Sequence, residues 1–265
     1  MKKHLLLILS LFLACGLQAQ QHPWQGKRVA YFGDSITDPN NKAAKTKYWG
    51  YLQDWLQQTV YVYGKSGRQW NDIPRQLGLL QQEHGDNVDA IMIFMGTNDF
   101  NHGVPLGEWY EVVDTTVFFA RGNESGMVAR LARKPLMNPK TLRGRINIAL
   151  SQLKAAYPTK QIVLLTPIHR ALFQVGDKNV QPSEYVQNRI GEWFSDYVEA
   201  VVEAGRVWSV PVIDINALSG LLPVVPAHGQ YFNNAETDLL HPNDEGHRRL
   251  GRTLMEQLRA LPCVF

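Results

Sequence analysis

The chain has 265 residues, of which 45% are hydrophobic and 19% are charged, so it holds enough apolar material for one sizeable core. Its formal net charge is +3 and it has no long run of Lys or Arg, which argues against nucleic acid as a partner. We expect a single domain over residues 20–265, after an N-terminal leader.

The first 19 residues have the order of a secretory signal. Lys2 and Lys3 precede an apolar stretch at 5–14, and Ala19 offers a small residue for cleavage. The apolar stretch is shorter than the roughly 20 residues that a membrane-spanning helix needs. The pattern predicts a signal peptide at 1–19 and export to the periplasm, the cell surface or the medium.

The sequence has two cysteines, Cys15 and Cys263. Residues 13–16 loosely resemble a lipoprotein processing site, so lipid anchoring through Cys15 is the second alternative to simple cleavage. Removal of the leader would leave Cys263 without a partner, and we therefore expect no intrachain disulfide in the mature chain.

Short apolar segments rich in β-branched residues alternate with longer segments of helical spacing. The predicted strands cover 28–32, 59–63, 90–95, 161–166 and 210–215, and helices are predicted over 48–58, 141–156 and 182–204. Such alternation is typical of βαβ units, whose parallel sheet is covered on both faces. We predict a three-layer α/β/α sandwich around a mainly parallel, five-stranded sheet.

A last helix is predicted to begin near Pro242, because proline suits the first helical turn and acidic residues follow it directly. Three leucines then recur at a spacing of four residues and form an apolar stripe: Leu250, Leu254 and Leu258. We expect this stripe to pack on the sheet.

Residues 102–140 depart from the alternation between the third strand and its helix. Apolar pieces at 115–119 and 126–131 flank the turn-forming run 123–126, which predicts a β-hairpin. At the carboxyl edge of the sheet such a hairpin could cover a substrate cleft. A surface hairpin without function and a dimer contact are equal alternatives.

A serine stands just after the first predicted strand, in the run Gly33-Asp34-Ser35. Open α/β sheets place their sites at this carboxyl edge. A serine hydroxyl is a weak nucleophile unless a base, an orienting acid and donors for the oxyanion lie beside it. Ser35 is therefore a candidate nucleophile, and its partners should follow later strands.

Two Asp-x-x-His runs offer a base and its orienting acid: Asp238 with His241, and Asp99 with His102. An imidazole suits proton transfer from serine, and a carboxylate on its far nitrogen fixes the tautomer. Spacing alone does not choose between the runs. We favour the later one, because Asn98 beside Asp99 is a candidate oxyanion donor. A surface histidine at a helix start is the alternative for that later run.

Two further strand ends carry candidate oxyanion donors. Gly67 follows the second strand, where a glycine lets backbone N–H groups approach a ligand closely. Asn98 follows the third strand, and an asparagine amide can donate to an oxyanion. The alternatives are a steric need for the glycine and a turn or helix-cap role for the asparagine.

In chain order, these four runs resemble the GDSL or SGNH hydrolase family over nearly all of the mature chain. The resemblance implies a flavodoxin-like sheet and ester hydrolysis. It implies that Ser35 is the nucleophile, His241 the general base and Asp238 its orienting acid. It also implies an oxyanion hole made by the Ser35 N–H, the Gly67 N–H and the Asn98 side chain.

Two other kinds of site account for the sequence less well. His241, Asp244 and His247 could ligate a metal, but the predicted helix start explains this cluster, and a triad needs no metal. Acidic residues near Ser35, Asp34 among them, could form a glycosidase acid pair, but the serine run accounts for the same neighbourhood. We expect neither a metal nor another cofactor.

Export and the resemblance together favour a carbohydrate ester as substrate, from which an acetyl or other short acyl group is removed. His169 and Trp70 are candidates for substrate contact; a surface loop and the core are the respective alternatives. The nearest alternatives in substrate are lipid esters and thioesters. Acyl transfer to a sugar is the alternative reaction, and a non-catalytic carbohydrate-binding protein is the alternative class.

Overall fold

The computed structural model describes residues 21–265. The predicted signal peptide and the predicted alternative of lipidation at Cys15 lie outside the described residues. Within the described range, no helix is both long enough and apolar enough to cross a membrane.

A five-stranded sheet lies at the centre of the fold. Its strands are β1 Arg28–Gly33, β2 Thr59–Val62, β3 Ala90–Phe94, β6 Gln161–Leu165 and β9 Val212–Ile213. All neighbours are parallel, in the order β2-β1-β3-β6-β9, which is the strand order of flavodoxin-like sheets. Every residue of β3 and β6 is buried, because both faces of the sheet are covered.

Helices form a layer on each face of the sheet. One apolar cluster joins the sheet to α2 Ile73–His84, α4 Leu142–Ala156 and α5 Phe194–Trp208. A second cluster joins the other face to α1 Tyr48–Leu56 and α7 Asp244–Ala260. Two short helices lie in connections, α3 Thr97–Asn101 and α6 Ile215–Leu218. The predicted three-layer α/β/α sandwich with a flavodoxin-like sheet is confirmed.

The last helix begins later than predicted. Pro242 is the final residue of a strand, β11 Asp238–Pro242, and α7 begins at Asp244. Asn243 caps the helix, because its side chain accepts the Gly246 N–H at 3.1 Å. The predicted leucine stripe of α7 is fully buried against the sheet: Leu250, Leu254 and Leu258.

Two predicted elements were wrong in extent. The helix predicted over 182–204 is α5, which begins only at Phe194, because the preceding chain folds into a loop. In that loop the Asn188 side chain accepts the N–H groups of Ile190 and Glu192, which competes with helical hydrogen bonding. The strand predicted over 210–215 contributes only the two residues of β9 to the sheet.

A second, antiparallel sheet was not predicted. It contains β7 Phe173–Val175, β8 Asn179–Gln181, β10 Phe232–Asn234 and β11, in the order β10-β11-β7-β8. Asp238 in β11 pairs with Phe173 in β7. This pairing connects the segment that follows β6 with the segment that precedes α7.

The predicted hairpin is present and is longer than expected. Strands β4 Tyr110–Arg121 and β5 Glu124–Pro135 pair along their whole length, so the turn lies at residues 122–123 instead of 123–126. Much of its surface is open, with Phe118 68% and Leu131 71% exposed. That this hairpin covers a substrate cleft remains a prediction.

Candidate active site

Ser35 lies in a tight turn that begins where β1 ends. Gly33 is held by the buried side chain of Gln76, which accepts the Gly33 N–H at 2.9 Å and donates to the Gly33 carbonyl at 3.0 Å. A Cβ atom at position 33 would overlap Thr37 Oγ1, so glycine is required there. The Asp34 carbonyl then accepts the N–H groups of Thr37 and Asp38 in one helical turn. Ser35 is thereby fixed at the carboxyl edge of the sheet.

The aspartate and the histidine of the later Asp-x-x-His run lie side by side on β11. His241 Nδ1 is 3.0 Å from Asp238 Oδ1 and 3.1 Å from Oδ2. The carboxylate also accepts the backbone N–H groups of Leu240 and His241 and the Asn233 side-chain amide. Burial raises the pKa of Asp238, but its interactions with His241 and Asn233 outweigh burial and hold the pKa below its ordinary value. Asp238 is therefore ionised at neutral pH.

Ser35 and His241 meet although they are far apart in sequence. Ser35 Oγ is 2.9 Å from His241 Nε2, so serine, histidine and aspartate form one hydrogen-bonded series. The Phe173 ring packs edge-on against the imidazole, with the ring centroids 5.1 Å apart. A carboxylate accepts but cannot donate, so Nδ1 carries the proton of a neutral His241 ring and Nε2 faces Ser35 as an acceptor.

The turns after β2 and β3 lie next to the serine turn. Asp38 Oδ2 accepts the backbone N–H and the hydroxyl of Ser66, at 2.8 and 2.7 Å, which ties the turn after β2 to the turn after β1. Gly67 has a φ of +76°, and the space that a Cβ atom would occupy there is open. The Asn98 amide donates to the Arg68 carbonyl at 3.0 Å and to Asp34 Oδ2 at 3.4 Å. All the predicted oxyanion donors therefore lie around one edge of the sheet.

The buried carboxyl group of Asp34 helps to position the serine turn. It accepts the Ile36 N–H at 3.1 Å and the longer contact from Asn98. Burial raises the pKa of Asp34 to about 7, against the lowering effect of the Ile36 N–H. Asp34 touches the turn and the amide but does not bond to Ser35 Oγ, in agreement with a structural role.

The rival pair, Asp99 and His102, is not assembled. The Asp99 side chain is fully buried and binds the Trp70 N–H at 3.0 Å and Arg145 Nη1 at 2.9 Å. His102 is exposed, and its Nδ1 lies 2.8 Å from the Asn98 carbonyl. Burial raises the pKa of Asp99 to about 6, although the Trp70 N–H and Arg145 act against it. Asp99 therefore anchors the turn after β3 and does not orient a histidine.

The possible metal ligands His241, Asp244 and His247 also make separate contacts. Asp244 Oδ1 accepts the backbone N–H groups of Lys45 and Thr46. His247 is buried, and its Nδ1 accepts the Tyr48 N–H at 3.2 Å. These side chains therefore join α1 and the residues just before it to the start of α7, while His241 faces the serine.

The two residues predicted to contact substrate have different positions. The prediction that Trp70 is a stacking platform is wrong, because its side chain is 0% exposed and belongs to the core between the sheet and α2, α4 and α5.

His169 is partly exposed and lines a cavity at the carboxyl edge. Its neighbour Arg170 is 1% exposed and binds Thr97 Oγ1 and Gln181 Oε1. Burial lowers the pKa of Arg170 to about 10, so it remains a cation at neutral pH.

Three residues that support the candidate site were not predicted from the sequence. Gln76 holds the end of β1, Asn233 donates to Asp238 at 2.8 Å, and Phe173 packs on His241. Each lies outside the motif it supports and has a side chain that is common in other roles. No pattern in a single sequence distinguishes them.

The sheet order and the Ser–His–Asp series together define a flavodoxin-like α/β protein whose site lies at the carboxyl edge of its sheet. The sequence profile described as the GDSL-like Lipase/Acylhydrolase family matches residues 31–249, and the chain belongs to this family. The resemblance seen in the sequence is thereby confirmed. The family implies ester or acyl hydrolysis. No curated protein matches the chain in sequence.

Solved structures share the fold at low identity. A protein from Lactobacillus plantarum is 23% identical, with a TM-score of 0.66, and the match covers 89% of this chain and 98% of that one. A possible lipase from Chitinophaga pinensis is 21% identical, with a TM-score of 0.63 and coverage of 88% and 98%. Axe2, an acetylxylan esterase from Geobacillus stearothermophilus, is 18% identical, with a TM-score of 0.53 and coverage of 89% and 96%.

The raised pKa of Asp34 makes a prediction about stability. Between about pH 4 and pH 7 the unfolded chain loses this proton while the folded protein keeps it, so the contribution of Asp34 to stability falls as pH rises. The unfolding free energy of the wild type, minus that of Asp34→Asn, should fall by on the order of a few kcal/mol across this window. Urea unfolding at a series of pH values measures this difference.

The same comparison with Asp54→Asn, at an exposed position on α1, provides the control and should show no such trend. If the difference in unfolding free energy between wild type and Asp34→Asn stays constant from pH 4 to pH 7, the pKa of Asp34 is not raised by folding.

Proposed function

We propose that this protein is a serine ester hydrolase that works through an acyl-enzyme and removes acetyl or other short acyl groups from a carbohydrate. The observation that carries the proposal is the unbroken hydrogen-bonded series from Ser35 through His241 to Asp238. Membership of the GDSL-like Lipase/Acylhydrolase family supports ester hydrolysis independently of that geometry.

In the proposed first step, Ser35 Oγ attacks the ester carbonyl carbon and His241 Nε2 takes the hydroxyl proton. The tetrahedral intermediate then collapses, the bond to the alcohol oxygen breaks, and that oxygen receives the proton from His241. Water repeats the sequence on the acyl-enzyme, which releases the acid and returns the proton to Ser35. Asp238 accepts the Nδ1–H throughout and stabilises the imidazolium.

Three donors would meet the negative charge of the intermediate. Among residues 21–265, the backbone N–H groups of Ser35 and Gly67 have no protein acceptor, and both lie in turns at the sheet edge. The Asn98 amide would exchange its long 3.4 Å contact with Asp34 for a contact with the oxyanion. A single donor of this kind contributes about 10²–10³ in kcat in enzymes that use one.

A carbohydrate ester is the substrate class that we favour. The predicted export signal suits a substrate outside the cytoplasm, and the fold is shared with Axe2, an acetylxylan esterase. The second candidate is a lipid ester, because the Chitinophaga pinensis protein of the same fold is described as a possible lipase.

The roles of the serine and the histidine are tested with p-nitrophenyl acetate. Ser35→Ala and His241→Ala should each reduce kcat by about 10⁴-fold or more, because nucleophile and base act as a unit. His102→Ala is the matched control and should remain within about twofold of wild type. Wild-type protein without esterase activity, or a loss in His102→Ala comparable to that in His241→Ala, would contradict the proposal.

The substrate class is tested by direct comparison of three esters. Acetate release from acetylated xylan oligosaccharides should proceed with a kcat/KM at least about tenfold above those for p-nitrophenyl palmitate and acetyl-CoA. A preference for the palmitate ester or for the thioester would overturn the carbohydrate assignment and leave the serine mechanism in place.

A further inference from the structure

A cavity of about 600 Å³ opens at the carboxyl edge of the sheet, beside the ends of β6 and β9. Its walls include His169 from the segment after β6, Asn216 from α6, and Trp193 and Glu199 at the start of α5. The volume lies in the range of small-ligand sites. None of the residues of the hydrogen-bonded series at Ser35 lines it, so the cavity is separate from the proposed catalytic groups.

A buried carboxylate fixes the orientation of His169 in this cavity. His169 Nδ1 is 2.7 Å from Glu184 Oε1, and the other oxygen of Glu184 accepts the Arg170 N–H at 2.9 Å. Because a carboxylate only accepts, the neutral imidazole donates through Nδ1 and its Nε2 remains an acceptor. The His169 side chain is 30% exposed, so a ligand can reach it.

Carboxylates and an amide oxygen add further acceptors to the cavity. Glu199 is exposed, and its carboxylate makes no hydrogen bond with residues 21–265. The Asn216 amide nitrogen donates to the Pro167 carbonyl at 2.9 Å, which leaves its oxygen free to accept. Within residues 21–265, no Lys or Arg lines the cavity, and the carboxylates would repel an anion. These groups favour a ligand that brings several donors and carries no negative charge.

Apolar surface completes the lining. Trp193 is 45% and Tyr185 is 65% exposed, and Val198 and Val202 lie on the same face of α5. Exposed aromatic rings beside acceptors suit a ring with hydroxyl groups at its edge and an apolar face. This is the surface of a neutral sugar.

The cavity and the catalytic groups share one segment of chain. Phe173, which packs on the His241 ring, follows His169 by four residues, and four extended residues span at most about 14 Å. A ligand made of several linked sugar rings could therefore reach from the cavity to Ser35. A single acetylated sugar at Ser35 would leave the cavity free.

We propose that this cavity binds sugar units of an oligosaccharide that flank the acylated unit at Ser35. The assignment rests on the proposed carbohydrate esterase function, whose substrate it specifies as an oligomer instead of a monosaccharide. Trp193 and Tyr185 supply the stacking surface, and His169 Nε2, Glu199 and the Asn216 oxygen accept sugar hydroxyls. Glu184 is a positioning residue, because it acts through His169.

The first test separates binding from chemistry by kinetics. Trp193→Ala should raise KM for acetylated tetrasaccharides of xylose, glucose and mannose about tenfold, with kcat little changed. The same variant should hydrolyse p-nitrophenyl acetate within about twofold of wild type, because that ester is too small to reach the cavity. Trp55→Ala removes a comparably exposed tryptophan on α1, outside the cavity, and should affect neither substrate.

The second test measures binding without turnover. Ser35→Ala protein should bind the three unacetylated tetrasaccharides in a calorimetric titration, and the added Trp193→Ala or His169→Ala change should weaken binding about tenfold. Tetramethylammonium chloride should not compete with the sugar. Absence of binding by all three tetrasaccharides, or displacement by the quaternary cation, would overturn the assignment of the cavity.

The two tests also separate this assignment from the proposed function. If wild type and Trp193→Ala release acetate from every tetrasaccharide with equal KM, the cavity assignment is wrong and the esterase proposal stands. If no acetylated tetrasaccharide is a substrate but the sugars bind in a Trp193-dependent way, the cavity assignment stands and the proposed carbohydrate esterase activity is wrong.

Discussion

The contact of 2.9 Å between Ser35 Oγ and His241 Nε2 joins the first strand of the chain to the segment before its last helix. Neither residue could reach the other without the packing of α7 and β11 against the sheet. The buried leucine stripe of α7 fixes the end of that segment, and the pairing of β11 with β7 fixes its direction. The candidate site therefore depends on the completed fold, because Ser35 and His241 lie near opposite ends of the described chain.

Buried polar groups at the sheet edge explain why the turns hold their positions. Gln76 bonds to both backbone groups of Gly33, and Asp99 ties the turn after β3 to Arg145. Buried polar groups are costly unless they are hydrogen-bonded, and buried charges unless they are paired, so each such contact penalises movement of the loop that carries it. Arg170 adds a buried positive charge close to Thr97, on the same short helix as Asn98. Its field would favour negative charge at the proposed oxyanion position.

The strand ends of the parallel sheet were predictable because regular strands bring residues such as Ser35 and Asn98 to one edge. The position of His241 was harder to predict, because it depends on the short strands β7 and β8. Each has three residues, too few to show an alternation of apolar and polar side chains in the sequence. Trp70 was misassigned because an aromatic side chain in a loop can turn either to the cleft or to the core. That choice is made by tertiary packing, as is the support that Asn233 gives to Asp238.

Covalent labelling with a fluorophosphonate tests whether His241 activates Ser35 as a nucleophile. One phosphonate per chain is expected, located by peptide mass spectrometry on Ser35, with labelling lost in His241→Ala. A label on another residue, or Ser35 labelled at the same rate without the His241 imidazole, would show that His241 does not have this role.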